Sequence, residues 1–339
     1  MVEPRVTVIV TQRERFTDFT DSLNSLYGET DSQFELIYVD ANSPPMVQQQ
    51  LERESAKRGF RVVRLNQYAC QNFGRNIALN YAQGDYIVFA DNDVIVSPGW
   101  ITKLLRCADE TGASIVGPLY MEGGTDSGII HMGGGHNRLR RTSKGNYFEQ
   151  THEHNHDHLS VVDNSAFFKR RPTELVEFHC LLARKSVLEK IGPLDEEIPS
   201  LADHDDLCLL VGRAGESVWL EPAVVASYEY MKKPLEWCDM PYFYLRWSET
   251  WNYRSVERLA KKWGLASDDP WRKSSTQWAR THRRKAAVPL PAGRLFTMFV
   301  TATYTLVTTL IGLGRPRSRA HSISPAAEQV ATSRTPVLR

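Results

Sequence analysis

The chain has 339 residues, of which 42% are hydrophobic and 24% are charged, and its formal net charge is +1. This length and balance exclude a wholly disordered chain and allow one large domain or two small ones. The near-neutral charge argues against a nucleic-acid partner. The five cysteines are odd in number and never spaced as CxxC, which argues against a disulfide framework and indicates a cytoplasmic protein.

Short apolar runs alternate with polar, helix-like stretches in the first part of the chain. This alternation predicts an α/β fold with an open, mostly parallel sheet flanked by helices. The predicted strands are Val6–Val10, Phe34–Val39, Arg61–Leu65 and Tyr86–Ala90. The predicted helices are Asp18–Leu26, Val47–Lys57, Gly74–Ala82 and Trp100–Thr111.

The pattern is less regular after Gly112, and Gly123–Lys144 shows no clear period. Further strands are predicted at Ser114–Gly117, Val176–Ala183, Val218–Leu220 and Val224–Ala226, and further helices at Lys185–Ile191 and Leu207–Ala214. After Pro234 the residues are aromatic and helical in pattern. We therefore expect one α/β domain over residues 1–232 and a helical extension over 233–290.

An uncharged segment from Leu295 to Gly314 lies between Arg294 and Arg315. Its length is close to the ~20 residues that a helix needs to cross a bilayer. Its many threonines also suit a helix that lies in the membrane interface or packs on the protein. We expect an apolar helix over 291–314 that contacts the inner face of the cell membrane, and a disordered tail over 315–339.

Three polar sets follow predicted strands, namely Thr11-Gln12-Arg13, Asp40-Ala41-Asn42 and Asp91-Asn92-Asp93. Ligands of an open parallel sheet bind at the carboxyl ends of its strands, so these sets predict one nucleotide site. The first turn lacks a glycine-rich sequence, which disfavours a dinucleotide site and a nucleotidyltransferase.

The third set also suggests a metal. Asp91 and Asp93 are two residues apart, so in an extended chain they point to the same side. Two close carboxylates repel each other unless a cation or hydrogen-bond donors compensate, and Mn²⁺ or Mg²⁺ bridging to a diphosphate would do so. The alternative is a polar turn that only ends the strand.

Two longer stretches carry a family resemblance. Asn72–Leu79 (NFGRNIAL) and Gly84–Asp93 (GDYIVFADND) resemble the core of glycosyltransferase family 2, with its arginine-asparagine pair, its Gly-Asp-Tyr run and its Asp-x-Asp motif. The resemblance extends roughly from Val6 to Tyr230. It implies a GT-A fold and a nucleotide-diphosphate-sugar donor.

The resemblance also implies roles for single residues. Asp40 would read the base or ribose, Asp91 would face the ribose or the metal, and Asp93 would hold the metal on the diphosphate. Arg75 would lie near the diphosphate, although it could also be an ordinary charge on a helix surface. The residues assigned to the donor site are Thr11, Gln12, Arg13, Asp40, Asn42, Arg75, Asp91 and Asn92.

The family's second motif, Glu-Asp-x-Asp-Leu, supplies the catalytic base, and the matching stretch is Asp203–Leu207 (DHDDL). His204 stands where the family usually has Asp. Either His204 accepts the proton of the acceptor hydroxyl, or Asp203 or Asp205 does. Asp206 is expected to support the site, and all these acids would also suit the positive end of a helix dipole.

Histidine placement leaves the metal environment open. Tyr228 follows a Pro-Ala-Val-Val run, where many GT-A enzymes carry a late histidine ligand. The alternating histidines His152, His154, His156 and His158 suggest zinc, but a polar loop on the acceptor side is the simpler interpretation.

Together these features predict an inverting, metal-dependent glycosyltransferase of the hexosyltransferase type. It would move a sugar from a nucleotide-diphosphate-sugar to the hydroxyl of a glycan, a lipid-linked molecule or a small molecule. The alternative is a non-catalytic relative that binds a nucleotide-sugar or a glycan.

Overall fold

A computed structural model describes residues 5–13, 15–30, 32–162, 167–228 and 235–286 of the protein. Strands and helices alternate in its first part, in the order that the sequence predicts. The elements are β1 (Val6–Thr11), α1 (Phe19–Gly28), β2 (Glu35–Asp40), α2 (Pro45–Arg58), β3 (Arg61–Arg64), α3 (Gln71–Leu79), β4 (Tyr86–Asp91), β5 (Val94–Val96) and α4 (Trp100–Thr111).

The first four strands form one parallel unit in the order β4-β1-β2-β3. Every residue of β1 and β4 is buried, as in strands covered on both faces. Thr11 lies opposite Asp91 on one side and Val39 on the other. The carboxyl ends of β1, β2 and β4 therefore meet at one edge of the sheet, which is where the sequence predicts the nucleotide site.

The second part adds antiparallel strands and two further helices. The elements are β6 (Ile115–Glu122), β7 (Ile130–Met132), β8 (Gly135–Thr142), β9 (Gly145–His152), β10 (Arg171–Thr173), β11 (Cys180–Arg184), α5 (Lys185–Ile191), α6 (Asp203–Arg213) and β12 (Val218–Tyr228). Strand β11 lies antiparallel between β4 and β6, and β12 runs parallel to β6. The described residues thus form a ten-stranded sheet whose longer ladders are mostly parallel, and β8 and β9 form a separate hairpin.

Helices cover both faces of the sheet. Alternate residues of β1 point to opposite sides, so Val8 belongs to the same hydrophobic cluster as Leu23 of α1 and Trp100 of α4, whereas Ile9 belongs to the cluster that contains Leu207 of α6. This layering confirms the predicted α/β architecture.

Several sequence predictions are wrong in detail. The two strands predicted at Val218–Leu220 and Val224–Ala226 are one strand, β12, whose pairing with β6 shifts between Glu221 and Val225. Helix α6 begins at Asp203 rather than at Leu207, so the acidic residues lie in its first turn. The strand predicted from Val176 begins only at Cys180.

The C-terminal part of the described chain is helical, with α7 (Met240–Arg246), α8 (Glu249–Trp263) and α9 (Pro270–Ala286). Leu259 and Trp263 of α8 belong to the same hydrophobic cluster as Leu209 of α6, and this cluster attaches α8 to the sheet domain. Within the described residues no helix is long and apolar enough to cross a membrane. The predicted apolar helix at 291–314 and the tail at 315–339 lie outside the described residues.

Candidate functional site

The loop after β1 and the Asp91-Asn92-Asp93 turn hold each other in place. The Asn92 amide N–H donates to the Thr11 carbonyl at 3.1 Å, and the Asn92 side-chain oxygen accepts from the Arg13 amide at 3.0 Å. The Gln12 side-chain oxygen accepts from the Ala41 amide at 2.6 Å, which ties in the end of β2. The structure therefore brings all three predicted polar sets together.

Asp40 is buried, and its carboxylate makes hydrogen bonds and an ion pair with neighbouring residues. It accepts from the Ser43 amide at 2.8 Å and the Ser43 hydroxyl at 3.0 Å, and it pairs with Arg64. Asn42 adopts a φ of +66°, in the left-handed region that suits such a tight turn. Asp40 thus shapes the turn after β2, and its contact with the donor stays a prediction.

A small pocket opens beside these turns, and its lining includes Thr11, Gln12, Ala41, Leu65, Gln71 and Tyr242. Tyr242 belongs to α7, and its hydroxyl donates to the carbonyls of Ala69 at 2.9 Å and Gln12 at 3.3 Å. Its ring also stacks on Phe16 at 5.3 Å between centroids. The helical extension therefore forms one wall of this pocket.

Asp91 binds partners from two other segments. Its Oδ1 accepts from Gln71 of α3 at 2.8 Å, and its Oδ2 lies 2.9 Å from Nδ1 of His179. The Arg13 and Arg75 guanidinium groups lie 3.6 and 3.7 Å away. Asp93 is buried next to this group with 4% of its surface exposed.

These carboxylates fit the predicted metal by their chemistry. Asp91 and Asp93 are both buried at the carboxyl end of β4. Two carboxylates supply oxygen donors, which Mn²⁺ and Mg²⁺ prefer. The donor set therefore suits a hard divalent cation.

Arg75 is buried with 1% of its surface exposed, which excludes the alternative of an ordinary surface charge. It donates to Asp203 at 2.7 Å and to Asn72 at 2.9 Å, and it lies over the Phe178 ring at 3.6 Å. Burial alone would raise the pKa of Asp203, but the charges of His204 and Arg75 hold it well below its ordinary range. Asp203 is therefore ionised and poorly basic.

His204 and Asp205 differ in whether they carry a proton at neutral pH. Burial disfavours a charge on His204, but Asp205, Asp203 and Glu177 raise its pKa to about 10. Burial raises the pKa of Asp205 to about 6, and Gln150 donates to its Oδ1 at 3.2 Å. At neutral pH His204 thus already carries a proton, whereas Asp205 can accept one.

Asp206 has a structural environment. It accepts from Lys262 at 2.7 Å and from the Trp263 indole at 2.8 Å. These partners anchor α8 to the first turn of α6, in line with the supporting role predicted for Asp206.

Glu177 is a buried carboxylate to which four histidines converge. Its carboxylate lies 2.9 Å from His131, 3.4 Å from His179, 3.7 Å from His152 and 3.8 Å from His204. Candidate ligand atoms of His131, His152 and Glu177 all lie within 4.8 Å of one another. This spacing is compatible with a metal ion.

The polar loop predicted for the four histidines from His152 to His158 is partly wrong, because His152 lies in β9. His152 points to Glu177 and thereby joins residues of other segments. His154 instead pairs with Asp157 at 3.0 Å, so the four histidines of this stretch do not act as one set.

Six of these side chains close a ring, which we call the charge ring. It runs through Asp91, Arg75, Asp203, His204, Glu177 and His179 and returns to Asp91, with successive separations of 3.7, 2.7, 3.4, 3.8, 3.4 and 2.9 Å. It joins the strand-end carboxylate to the acids of α6. Tyr228 packs beside the ring, stacked on His179 at 4.6 Å.

Sequence reasoning missed Glu177, His179 and His131. A signal existed for the first two, because Glu177 and His179 alternate within the apolar run Val176–Ala183 and so share one side of an extended chain. His131 lies in Gly123–Lys144, where no periodicity marks it.

The family model described as "Glycosyl transferase family 2" matches residues 7–176. The succinoglycan biosynthesis protein ExoM of Rhizobium meliloti (strain 1021) is 36% identical over 76 residues, which is 22% of this chain and 25% of that protein. The match thus spans about a quarter of the relative's length.

A solved structure shares the fold. The crystal structure of GalNAc-T7 with UDP, GalNAc and Mn²⁺ gives a TM-score of 0.52 at 12% identity, covering 84% of this chain and 56% of that chain. The mannosyltransferase PcManGT from Pyrobaculum calidifontis, in complex with GDP-Man and Mn²⁺, gives a TM-score of 0.48 at 15% identity, covering 98% and 80%. This chain thus spans about half of GalNAc-T7.

The residues that carry the family resemblance lie close together in the fold. The parallel sheet places the strand-end carboxylates at its edge, and the charge ring links them to the start of α6. The family model matches half of the chain's 339 residues. The chain therefore belongs to glycosyl transferase family 2 and has the GT-A fold.

Proposed function

We propose that the protein transfers a hexose-type sugar from a nucleotide-diphosphate-sugar to an acceptor hydroxyl, with inversion at the anomeric carbon. The observation that carries the proposal is the charge ring, because it joins a strand-end site for the donor to an acidic helix start that can hold a base. A single displacement needs both parts on opposite sides of one sugar.

The donor's parts have distinct places in this proposal. The nucleoside would enter the pocket beside Thr11 and Gln12, and the diphosphate would lie near Arg13 and Arg75. Arg75 is held by Asp203 and Asn72, so its guanidinium is oriented before the donor arrives. A pre-oriented guanidinium stabilises charge that develops on the leaving group.

Asp93 and Asp91 would hold Mn²⁺ or Mg²⁺. When bound, the ion would neutralise charge on the departing nucleoside diphosphate. Tyr228 lies opposite Val94, next to Asp93, so a phenol stands where many GT-A enzymes carry a late histidine ligand.

We assign the catalytic base to Asp205. Asp203 is committed to Arg75, and His204 carries a proton at neutral pH. Asp205 has a pKa of about 6, so at neutral pH it is ionised and still basic enough to accept the hydroxyl proton as the sugar is attacked.

Donor turnover tests the proposal. The full chain should hydrolyse or transfer from at least one donor in a panel of UDP-, GDP- and dTDP-sugars when Mn²⁺ is present, and Asp93→Ala should abolish turnover without loss of the fold. Exposed Glu149→Gln serves as the control. Donor binding without turnover at any metal concentration would instead indicate the non-catalytic relative.

We also propose contact with the inner face of the membrane, where a lipid-linked acceptor would be available. Support comes from the uncharged Leu295–Gly314 segment and from Trp237 and Trp278, which are 86% and 51% exposed. The full chain should co-sediment with vesicles containing anionic lipid, and a chain shortened to residue 290 should bind them less. Equal binding by both chains contradicts the contact through this segment.

A further inference from the structure

His131, His152 and Glu177, here called the histidine cluster, come from three different segments. His131 lies in β7, His152 ends β9, and Glu177 precedes β11. The side chains are 16%, 20% and 6% exposed, so the cluster is largely shielded from water. Two imidazoles facing one buried carboxylate is an arrangement that metal ions favour.

The ring nitrogen of His131 that faces away from Glu177, Nδ1, also has partners. Its Nδ1 lies 2.8 Å from the Tyr228 hydroxyl and 3.2 Å from Oε1 of Glu122. When Nδ1 carries the ring proton and donates it to Glu122, Nε2 is the nitrogen that can bind a metal. Nε2 faces Glu177 and lies 2.9 Å from its carboxylate. Metal-binding histidines are commonly fixed by a carboxylate on their other nitrogen in this way.

We propose that the histidine cluster binds a divalent transition-metal ion such as Zn²⁺, at a site separate from the donor metal at Asp91 and Asp93. Two nitrogens and one carboxylate favour borderline ions such as Zn²⁺ or Co²⁺ over Mg²⁺. Ligands bonded to tetrahedral Zn²⁺ at about 2.0–2.2 Å lie about 3.3–3.6 Å apart. The cluster's ligand atoms, which lie within 4.8 Å of one another, must therefore approach by about 1 Å, a movement that rotation of the two histidine side chains can supply.

His179 separates the two metal sites. It stands between Asp91, 2.9 Å from its Nδ1, and Glu177, 3.4 Å from its Nε2. The sites thus share a neighbour but no ligand. The new site pins the hairpin formed by β8 and β9 to the sheet, and Gln150 of that hairpin holds Asp205.

Titration of the chelator-stripped full chain with Co²⁺, without nucleotide, tests this site. We expect one tight equivalent with the visible absorption bands of nitrogen-bound Co²⁺, displaced by Zn²⁺ and unaffected by excess Mg²⁺. His131→Gln and His152→Gln should each weaken binding by at least about 100-fold, and Glu122→Gln by about 10- to 100-fold. The exposed His136→Gln should leave the affinity unchanged.

Asp93→Ala distinguishes the two sites. It should abolish sugar transfer while keeping the Co²⁺ equivalent, so the outcome is independent of the proposed function. Loss of the Co²⁺ equivalent in Asp93→Ala, its persistence in both histidine variants, or a folded wild-type chain that binds neither Co²⁺ nor Zn²⁺ would overturn the proposal. Circular dichroism of each variant shows that the fold is retained.

Discussion

Arg75 is a buried cation of the charge ring, and two of the ring's carboxylates lie beside it. Replacing it by methionine keeps most of the volume but leaves Asp203 and Asp91 without its charge. Breaking a buried ion pair on one side costs about 3–5 kcal/mol. We therefore expect Arg75→Met to lower the free energy of unfolding by that amount, measured by urea denaturation.

Arg138→Met is the matched control. Arg138 pairs with Glu174 at 2.9 Å, but both side chains are more than 40% exposed, so the loss should be at most about 1 kcal/mol. Equal losses in the two variants would mean that Asp203 and Asp91 do not need Arg75 for their burial.

His204 controls the pH dependence of Asp205. Asp205 must be ionised to accept a proton, so kcat should fall as the pH drops through about 6. The positive charge of His204 lowers the pKa of Asp205, and its removal in His204→Gln raises that pKa. The acidic limb of the profile should therefore move to higher pH, with activity retained at alkaline pH.

Asp205→Asn provides the comparison for this prediction. It removes the base itself, and turnover should fall by about 10²- to 10⁴-fold above about pH 6, where Asp205 of the wild type is ionised. If His204→Gln instead loses as much activity as Asp205→Asn across the whole profile, the base is His204.

At the scale of elements, the sequence predicts the buried strands well and the polar hairpin not at all. Strands β1, β2 and β4 are short, mostly apolar runs. Such a run is typical of a strand that is buried on both faces. Strand β8 (GHNRLRRT) has exposed and partly exposed residues along most of its length, so no apolar alternation marks it. Strand β12 contains Pro222, and a proline in the sequence predicts the end of a strand. The structure accommodates Pro222 where the pairing of β12 with β6 shifts its register.

Gly135 determines how closely β8 approaches β9. A Cβ on Gly135 would lie 2.0 Å from the Thr151 carbonyl, a backbone atom that can move only with the hairpin. We expect Gly135→Ala to destabilise the protein by about 1–3 kcal/mol and to move His152, its partner in the register, away from Glu177. Thermal unfolding and Co²⁺ affinity measure the two effects.

Gly212 offers the same substitution without the clash. It is exposed within α6 and would have no atom within 4 Å of its Cβ. Gly212→Ala should therefore stabilise the protein by about 0.5–1 kcal/mol. Gly135→Ala should therefore lower the free energy of unfolding and Gly212→Ala should raise it. Losses of similar size in both variants would contradict this expectation.

At the scale of the whole molecule, the candidate site is assembled from residues far apart in the chain. Sequence motifs identify Asp91, Arg75 and Asp203, because these lie in contiguous patterns. His131 and Glu177 are 46 positions apart and become neighbours only through the pairing of β7 with β6 and of β11 with β6. Such contacts depend on the tertiary fold, which one sequence does not reveal.

The charge ring and the histidine cluster should also determine how the stability of the whole protein varies with pH when metals are chelated. The folded-state pKa values of Asp203 and Glu177 are lowered, so their stabilisation is present above their unfolded values and is lost as the pH falls below about 4. Those of His131 and His204 are raised to about 9 and about 10. Their stabilisation is complete below 6.5 and is lost as the pH rises towards these values.

We therefore expect the free energy of unfolding to fall between about pH 6.5 and 10. For His131 the loss is on the order of 3 kcal/mol at about 1.4 kcal/mol per pKa unit. Urea denaturation at each pH with a chelator measures it. His131→Gln should make the alkaline fall smaller by the part that His131 contributes, because His204 still loses its proton in this range. The exposed His136→Gln should keep the full fall, and a flat wild-type profile would show that Glu177 and Glu122 do not hold a proton on His131.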